Sequence, residues 1–171
     1  MIAKLADPPV IEPVSLVEAK TFLRIDTGDE DSLIDYLITA ARHAAEKYTS
    51  RSFITQTWKL YVERVVGTIY LPYSPVQEIE SVTVGGVEIP PSKYSLVGDD
   101  AFSVIQPLIA VTPESVLIRY ITGYGSDPED VPADIRQAIL ITVAHLYENR
   151  EIGGIPPGAI ELLRPYRVLQ V

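Results

Sequence analysis

Tyr48-Thr49-Ser50-Arg51-Ser52-Phe53-Ile54-Thr55-Gln56-Thr57-Trp58-Lys59-Leu60-Tyr61-Val62 is the stretch where the pattern of the chain changes. Before it, Leu33, Ile34, Leu37, Ile38, Ala41, Ala44, Ala45 and Tyr48 recur with the helical period of about 3.6 and predict a helix over 30–48. Glu30, Asp31 and Asp35 lie early in that helix and Arg42, Lys47 and Arg51 late, as its dipole favours. The alanines at 40, 41, 44 and 45 permit close approach of another helix. After it, Trp58, Leu60 and Val62 alternate with Thr57, Lys59, Tyr61 and Glu63, the period-2 pattern of a half-buried strand.

Further strands are predicted at 68–71, 79–84, 87–89, 94–97, 102–105 and 116–122, and Gly85-Gly86 reads as a two-residue hairpin turn. Pro72, Pro75, Pro90, Pro91, Pro107 and Pro113 fall between these runs, where they cost no ladder hydrogen bonds. Residues 53–124 are thus expected to form an antiparallel β module, ended by Gly123-Tyr124-Gly125.

Helices flank it on both sides. Ser15-Leu16-Val17-Glu18 has the form of a capping box and opens a short helix to Leu23, after an extended, proline-rich arm. Pro132 opens a third helix whose core face is Ile135, Ala138, Ile139, Thr142, Val143, Leu146 and Tyr147. Glu151-Ile152-Gly153-Gly154 stops it, and Pro156-Pro157-Gly158 precedes a last short helix from Ala159 to about Arg164. The expected class is α+β: one domain over 1–171, a helical body with the β module inserted at 53–124.

Composition narrows the chemistry. The 171 residues include no cysteine and two histidines, which excludes disulfides, thiolate metal sites, a cysteine nucleophile and multi-histidine centres. Net charge is −9, from 14 basic and 23 acidic residues, against the basic face that phosphate binding needs. No apolar run reaches the ~18–20 residues of a membrane span, and the N-terminus lacks the apolar stretch of a signal peptide, so a soluble cytoplasmic protein is expected. His43/Glu46 and His145/Glu148 could in principle serve a metal-dependent enzyme, but the further carboxylates of a di-metal bundle are lacking, and solvated residues on amphipathic helices are the plainer reading. No Gly-x-Ser-x-Gly elbow or phosphate-binding glycine loop occurs, and the acidic pairs Glu78/Glu80 and Asp99/Asp100 read as strand edge and turn. Arg42, Lys47 and Arg51 with Tyr48 form the one basic cluster that could touch nucleic acid, and a helix C-terminus balancing its dipole is preferred.

Several stretches, in order, resemble one family. They are Val14-Ser15-Leu16-Val17-Glu18-Ala19-Lys20-Thr21-Phe22-Leu23-Arg24-Ile25, the acidic turn Asp29-Glu30-Asp31, Ala40-Ala41-Arg42 and the Thr49–Trp58 stretch. Leu71-Pro72 and Pro75-Val76 follow, then Gly123-Tyr124-Gly125 and Val131-Pro132-Ala133-Asp134-Ile135-Arg136-Gln137-Ala138-Ile139. His145-Leu146-Tyr147-Glu148-Asn149-Arg150-Glu151 and Leu162-Leu163-Arg164-Pro165-Tyr166-Arg167 complete the set. Together they resemble the head-tail connector (adaptor, head-completion) family of tailed bacteriophages, which includes prophage proteins and the adaptors of gene transfer agents. Compact members of that family are mostly helical, and this chain adds a long β insertion.

The resemblance implies a structural protein with no catalytic, cofactor or metal residues. It implies a ring, a dodecamer on the particle, beneath the portal protein in the virion neck, assembled in the host cytoplasm. A downstream neck or tail-completion protein would dock on it, and packaged DNA would pass through without sequence-specific binding. Another neck or tail-completion role is the alternative within the class. Arg42 and Arg136, on the second and third helices, are the expected subunit contacts. The C-terminal segment, with Ile160, Leu163, Arg164, Tyr166 and Arg167, is expected either to dock on the portal or to fold back over the third helix.

Overall fold

The computed structural model describes residues 1–64, 67–99, 103–107, 114–149 and 154–168. Of the features expected from sequence, Asp100, Phe102, Pro113, Leu169 and the helix stop at Glu151-Ile152-Gly153 lie outside the described residues. The chain divides into two compact units. One comprises Met1–Pro9 and Thr55–Tyr124, the other Val10–Ile54 and Gly125–Val171.

The first unit is all β. Strands β1 (Ile2–Asp7), β2 (Gln56–Val62), β3 (Ile69–Leu71), β4 (Val76–Val84), β5 (Val87–Ile89), β6 (Tyr94–Gly98), β7 (Ser103–Pro107) and β8 (Val116–Thr122) form two sheets. The larger has the order β1-β2-β8-β4-β5 and the smaller β3-β7-β6, with antiparallel pairing throughout. The N-terminal arm is therefore a strand, in register with β2 from Ile2↔Tyr61 to Leu5↔Trp58. Gly85 and Gly86 both have positive φ, 56° and 86°, as the two-residue turn between Val84 and Val87 requires.

Alternation along β8 sets the core: Val116, Ile118, Tyr120 and Thr122 are buried, and Leu117, Arg119 and Ile121 take the opposite face. Leu60, Ile69, Leu71, Val82 and Ile105 pack with the buried β8 side chains. Tyr120 carries the one hydroxyl in this cluster and donates it to the Pro72 carbonyl at 3.1 Å. Burial pushes its ionisation far up, so it remains a neutral donor. Trp58 and Tyr73 stack with ring centroids 3.9 Å apart.

The second unit is helical: α1 (Leu16–Leu23), α2 (Asp31–Thr49), α3 (Ala133–Glu148) and α4 (Pro157–Leu163), the last continued by a 3-10 turn at Arg164–Tyr166. The capping box forms as the sequence predicts, with the Glu18 amide donating to Ser15 Oγ (3.2 Å) and the Ser15 amide to the Glu18 carboxylate (2.9 Å). Ile34, Leu37, Ile38, Ala41 and Ala45 of α2 and Ile135, Ala138, Ile139 and Val143 of α3 are buried, and the two helices pack together. Two positions differ from expectation. Leu33 is 38% exposed, while Arg42, expected at the helix surface, is 4% exposed inside the apolar stripe.

Candidate functional site

The surfaces available for assembly follow from what each unit has already used. In the helical unit Arg42, Arg51 and Arg136 are consumed internally. Arg42 Nε donates to Glu12 at 2.6 Å and its Nη1 to Glu46 at 2.8 Å, while Glu46 also accepts the Phe53 amide at 2.9 Å. Thr39 Oγ1 donates to the same Glu12 carboxylate at 3.0 Å. Burial alone would disfavour the guanidinium charge, and the two carboxylates more than restore it, holding the Arg42 pKa above its ordinary value. The irregular segments on either side of α2 are thereby tied to it.

Arg51 is 6% exposed and donates through Nε to the Tyr166 carbonyl. The basic cluster of Arg42, Lys47 and Arg51 is therefore no cationic patch, because two of its three charges are buried. Their signal in sequence was indistinguishable from that of a solvated helix end.

Arg136, at the start of α3, bonds the Pro13 carbonyl at 3.1 Å and pairs with Glu18. Its side chain keeps 24% of its exposure. Burial raises the Glu18 pKa, but the Ser15 amide and hydroxyl and the Arg136 charge outweigh it and hold the carboxyl below its usual range. Of the two expected subunit contacts, Arg136 thus reaches solvent in part, while Arg42 lies beneath the surface.

The C-terminal segment is folded back. Leu163 and Ala159 are fully buried, and α4 packs on α3 and α2. Ile160 and Tyr166 are half-buried, while Arg164 and Arg167 are exposed. The Val168 amide donates to the Thr49 carbonyl at 2.9 Å, and the Arg167 guanidinium sits 5.4 Å from the Tyr48 ring centroid, a cation–π distance. Of the two arrangements expected for this segment, the structure shows the folded-back one. The reason is the i, i+4 spacing of Ala159 and Leu163, which gives α4 a face that α3 can cover.

The two His-x-x-Glu pairs are not brought together as a centre. His43 and Glu148 are exposed, Glu46 is held by Arg42, and His145 bonds Asn149 at 3.3 Å. Among the described residues no group of three or more His, Cys, Asp or Glu side chains is placed to hold a metal, and no helix is long and apolar enough to cross a membrane.

The β unit offers the opposite picture. Its outer face carries Ile2, Tyr61 and Leu117, exposed by 57%, 44% and 41%, beside charged rows. Arg119 pairs there with Asp7 and Glu80.

The chain belongs to the head completion protein family, whose model matches residues 13–154. It is a structural head-tail connector of a phage-like particle. By fold it is similar to a chain in the neck of an empty gene transfer agent particle, reconstructed with sixfold symmetry. That match has 27% identity and a TM-score of 0.85, and covers 100% of this chain and 97% of that one. A chain in the virion of a native gene transfer agent particle matches in fold with 24% identity and a TM-score of 0.85, covering 100% and 97%. So does one in the neck of the native particle with twelvefold symmetry, at 23% identity, a TM-score of 0.77, and 98% and 97% coverage. No curated protein matches the sequence.

Proposed function

We propose that the protein acts as one copy in a ring, a dodecamer on the particle, seated beneath the portal protein in the virion neck. The observation that carries this reading is the full-length likeness to a chain from a particle neck. The ring presents a platform to a downstream neck or tail-completion protein, and packaged DNA passes through it. The net charge of −9 suits a conduit, because like charge keeps DNA from adhering.

Contacts between copies are assigned to the surfaces of α2 and α3, where Arg136 is partly open. Arg42 serves them from beneath by fixing Glu12 and Glu46. The portal contact is assigned to the C-terminal segment. Arg164 and Arg167 are exposed for it already, and Ile160, Leu163 and Tyr166 become available when the segment releases from α3. Assembly is placed in the host cytoplasm, and no catalysis, metal or cofactor enters the role.

Particles made without this protein should accumulate as DNA-filled, tailless heads, and adding purified protein should restore tails. Electron cryo-microscopy of restored necks should show it in the layer next to the portal. Its absence from that layer would overturn the reading. The double variant Arg164→Glu, Arg167→Glu tests the portal contact: both side chains are exposed, so the protein should stay folded but no longer join filled heads.

A further inference from the structure

We propose that copies of this chain join head to tail by strand addition, β1 of one copy extending the large sheet of the next along the open part of β4. The proposal deepens the ring reading above and rests on it.

The large sheet has two open edges. β1 pairs with β2 on one side, and among the described residues no strand pairs with its other side. At the far edge β5 covers only Val82–Val84 of the nine-residue β4. Pro90 and Pro91 then end β5, which leaves 76–81 of β4 without a strand on that side among the described residues. Register shifts interrupt β1 between Leu5 and Asp7 and β4 on either side of Glu78-Ile79, but β1 has no proline and exposes Ile2 and Leu5 by 57% and 41%, so 2–5 and 78–79 keep a regular pleat for pairing.

Direction and pleat fit the pairing. Every neighbouring pair in the sheet is antiparallel, so β1 and β4 run in opposite senses. A neighbour brought in by rotation therefore presents β1 antiparallel to β4. Such a contact uses two different edges, the heterologous kind of interface from which rings are built. Lys4, level with Lys59 and Arg119, lies on the outer face, as does Glu78, level with Ile121. Ala3, level with Leu60, and Ile79, level with Tyr120, lie on the core face. Keeping faces matched sets Lys4 opposite Glu78 and Ala3 opposite Ile79.

Charge points the same way. Lys4 and Lys59 stand directly opposite each other, an unfavourable like-charge pair, with no acidic partner for either among the described residues. Glu78 likewise has none. Strand addition supplies each with its complement.

The chain has no cysteine, so paired cysteines report the contact cleanly. Necks built from the double variant Lys4→Cys, Glu78→Cys should give a covalent ladder of multimers on oxidation. The face-mismatched pair Ala3→Cys, Glu78→Cys should not. Lys4→Glu and Glu78→Lys should each lower neck occupancy several-fold, and the double swap should restore it. Lys4→Glu also relieves the clash with Lys59, so loss of folding does not confound the result. Necks that contain the protein but yield no ladder overturn strand addition while the ring reading stands. Necks that lack the wild-type protein overturn the ring reading itself. Failure of the double swap to rescue, with impaired DNA retention instead, would assign the lysine pair to DNA and also overturn the proposal.

Discussion

The two units solve the same problem of burying polar backbone by different means. In the β unit the ladders satisfy the main chain, so its buried side chains are aliphatic apart from Tyr120 and neutral polar groups such as Ser103 and Thr122, and its charges stay on the surface. In the helical unit, irregular segments pack on the helices at 10–15, 50–54 and 164–168, and their polar groups need side-chain partners. Arg42, Arg51 and Arg136 supply them, each reaching a segment distant in sequence: Glu12, Tyr166 and Pro13. The lesson is that a charge in one unit is framework and in the other is surface.

The largest expected effect would break this contrast if it failed. Arg42→Ala leaves two carboxylates, Glu12 and Glu46, beside an emptied site, and breaking a buried pair costs about 3–5 kcal/mol. Denaturant unfolding should show the loss, and Glu12→Gln in the same chain should recover part of it. In the β unit a comparable loss, about 2–5 kcal/mol, should need an apolar deletion such as Ile118→Ala at a fully buried position. Removing the Tyr120 hydroxyl by Tyr120→Phe should cost only about 1 kcal/mol, because one neutral hydrogen bond is lost.

The same contrast explains what could be read in advance. Period-2 alternation marked β2, Gly85-Gly86 marked the hairpin, and Ser15 with Glu18 marked the start of α1. These signals are local, so sequence carries them. The pairing of β1 with β2 joins residues fifty or more positions apart, and Met1–Pro9 has no alternation to announce it. Arg42 was misplaced for the same reason: its burial depends on Glu12, thirty residues away, and its own neighbours fit a helix end. Among the candidate assembly residues, the covered face of α4 follows from its apolar spacing, whereas the open edges of β1 and β4 appear only once the strand order is known.

A pH titration sharpens the comparison further. Glu18 is held below its usual pKa by Ser15 and Arg136 against the opposing effect of burial. A depressed carboxyl adds stability above its unfolded pKa, about 4.3, and loses it as pH falls through the folded value. Wild type should therefore be more stable than Glu18→Gln at pH 7, and the gap should close below about pH 4. Unfolding midpoints measured across that range, with hydrogen exchange locating the change at α1 and the start of α3, check it. A gap that persists unchanged into acid would mean the carboxylate charge is not what holds these segments.

The smallest effect comes from two arginines that look alike in a contact diagram. Arg136 bonds Glu18 and the Pro13 carbonyl, and Arg119 pairs with Asp7 and Glu80. Arg136 fastens an irregular segment that has no ladder of its own, so Arg136→Gln should lower stability by about 1 kcal/mol. Arg119 stands on the solvent face of strands that β-ladders already hold, and its pairs are open to water and screened by salt. Arg119→Gln should leave the urea midpoint unchanged at physiological salt and differ from wild type only at low ionic strength. If Arg119→Gln instead shifts the midpoint as far as Arg136→Gln, the outer sheet face is part of the framework. The division between the two units, charge as framework in one and as surface in the other, would then fail.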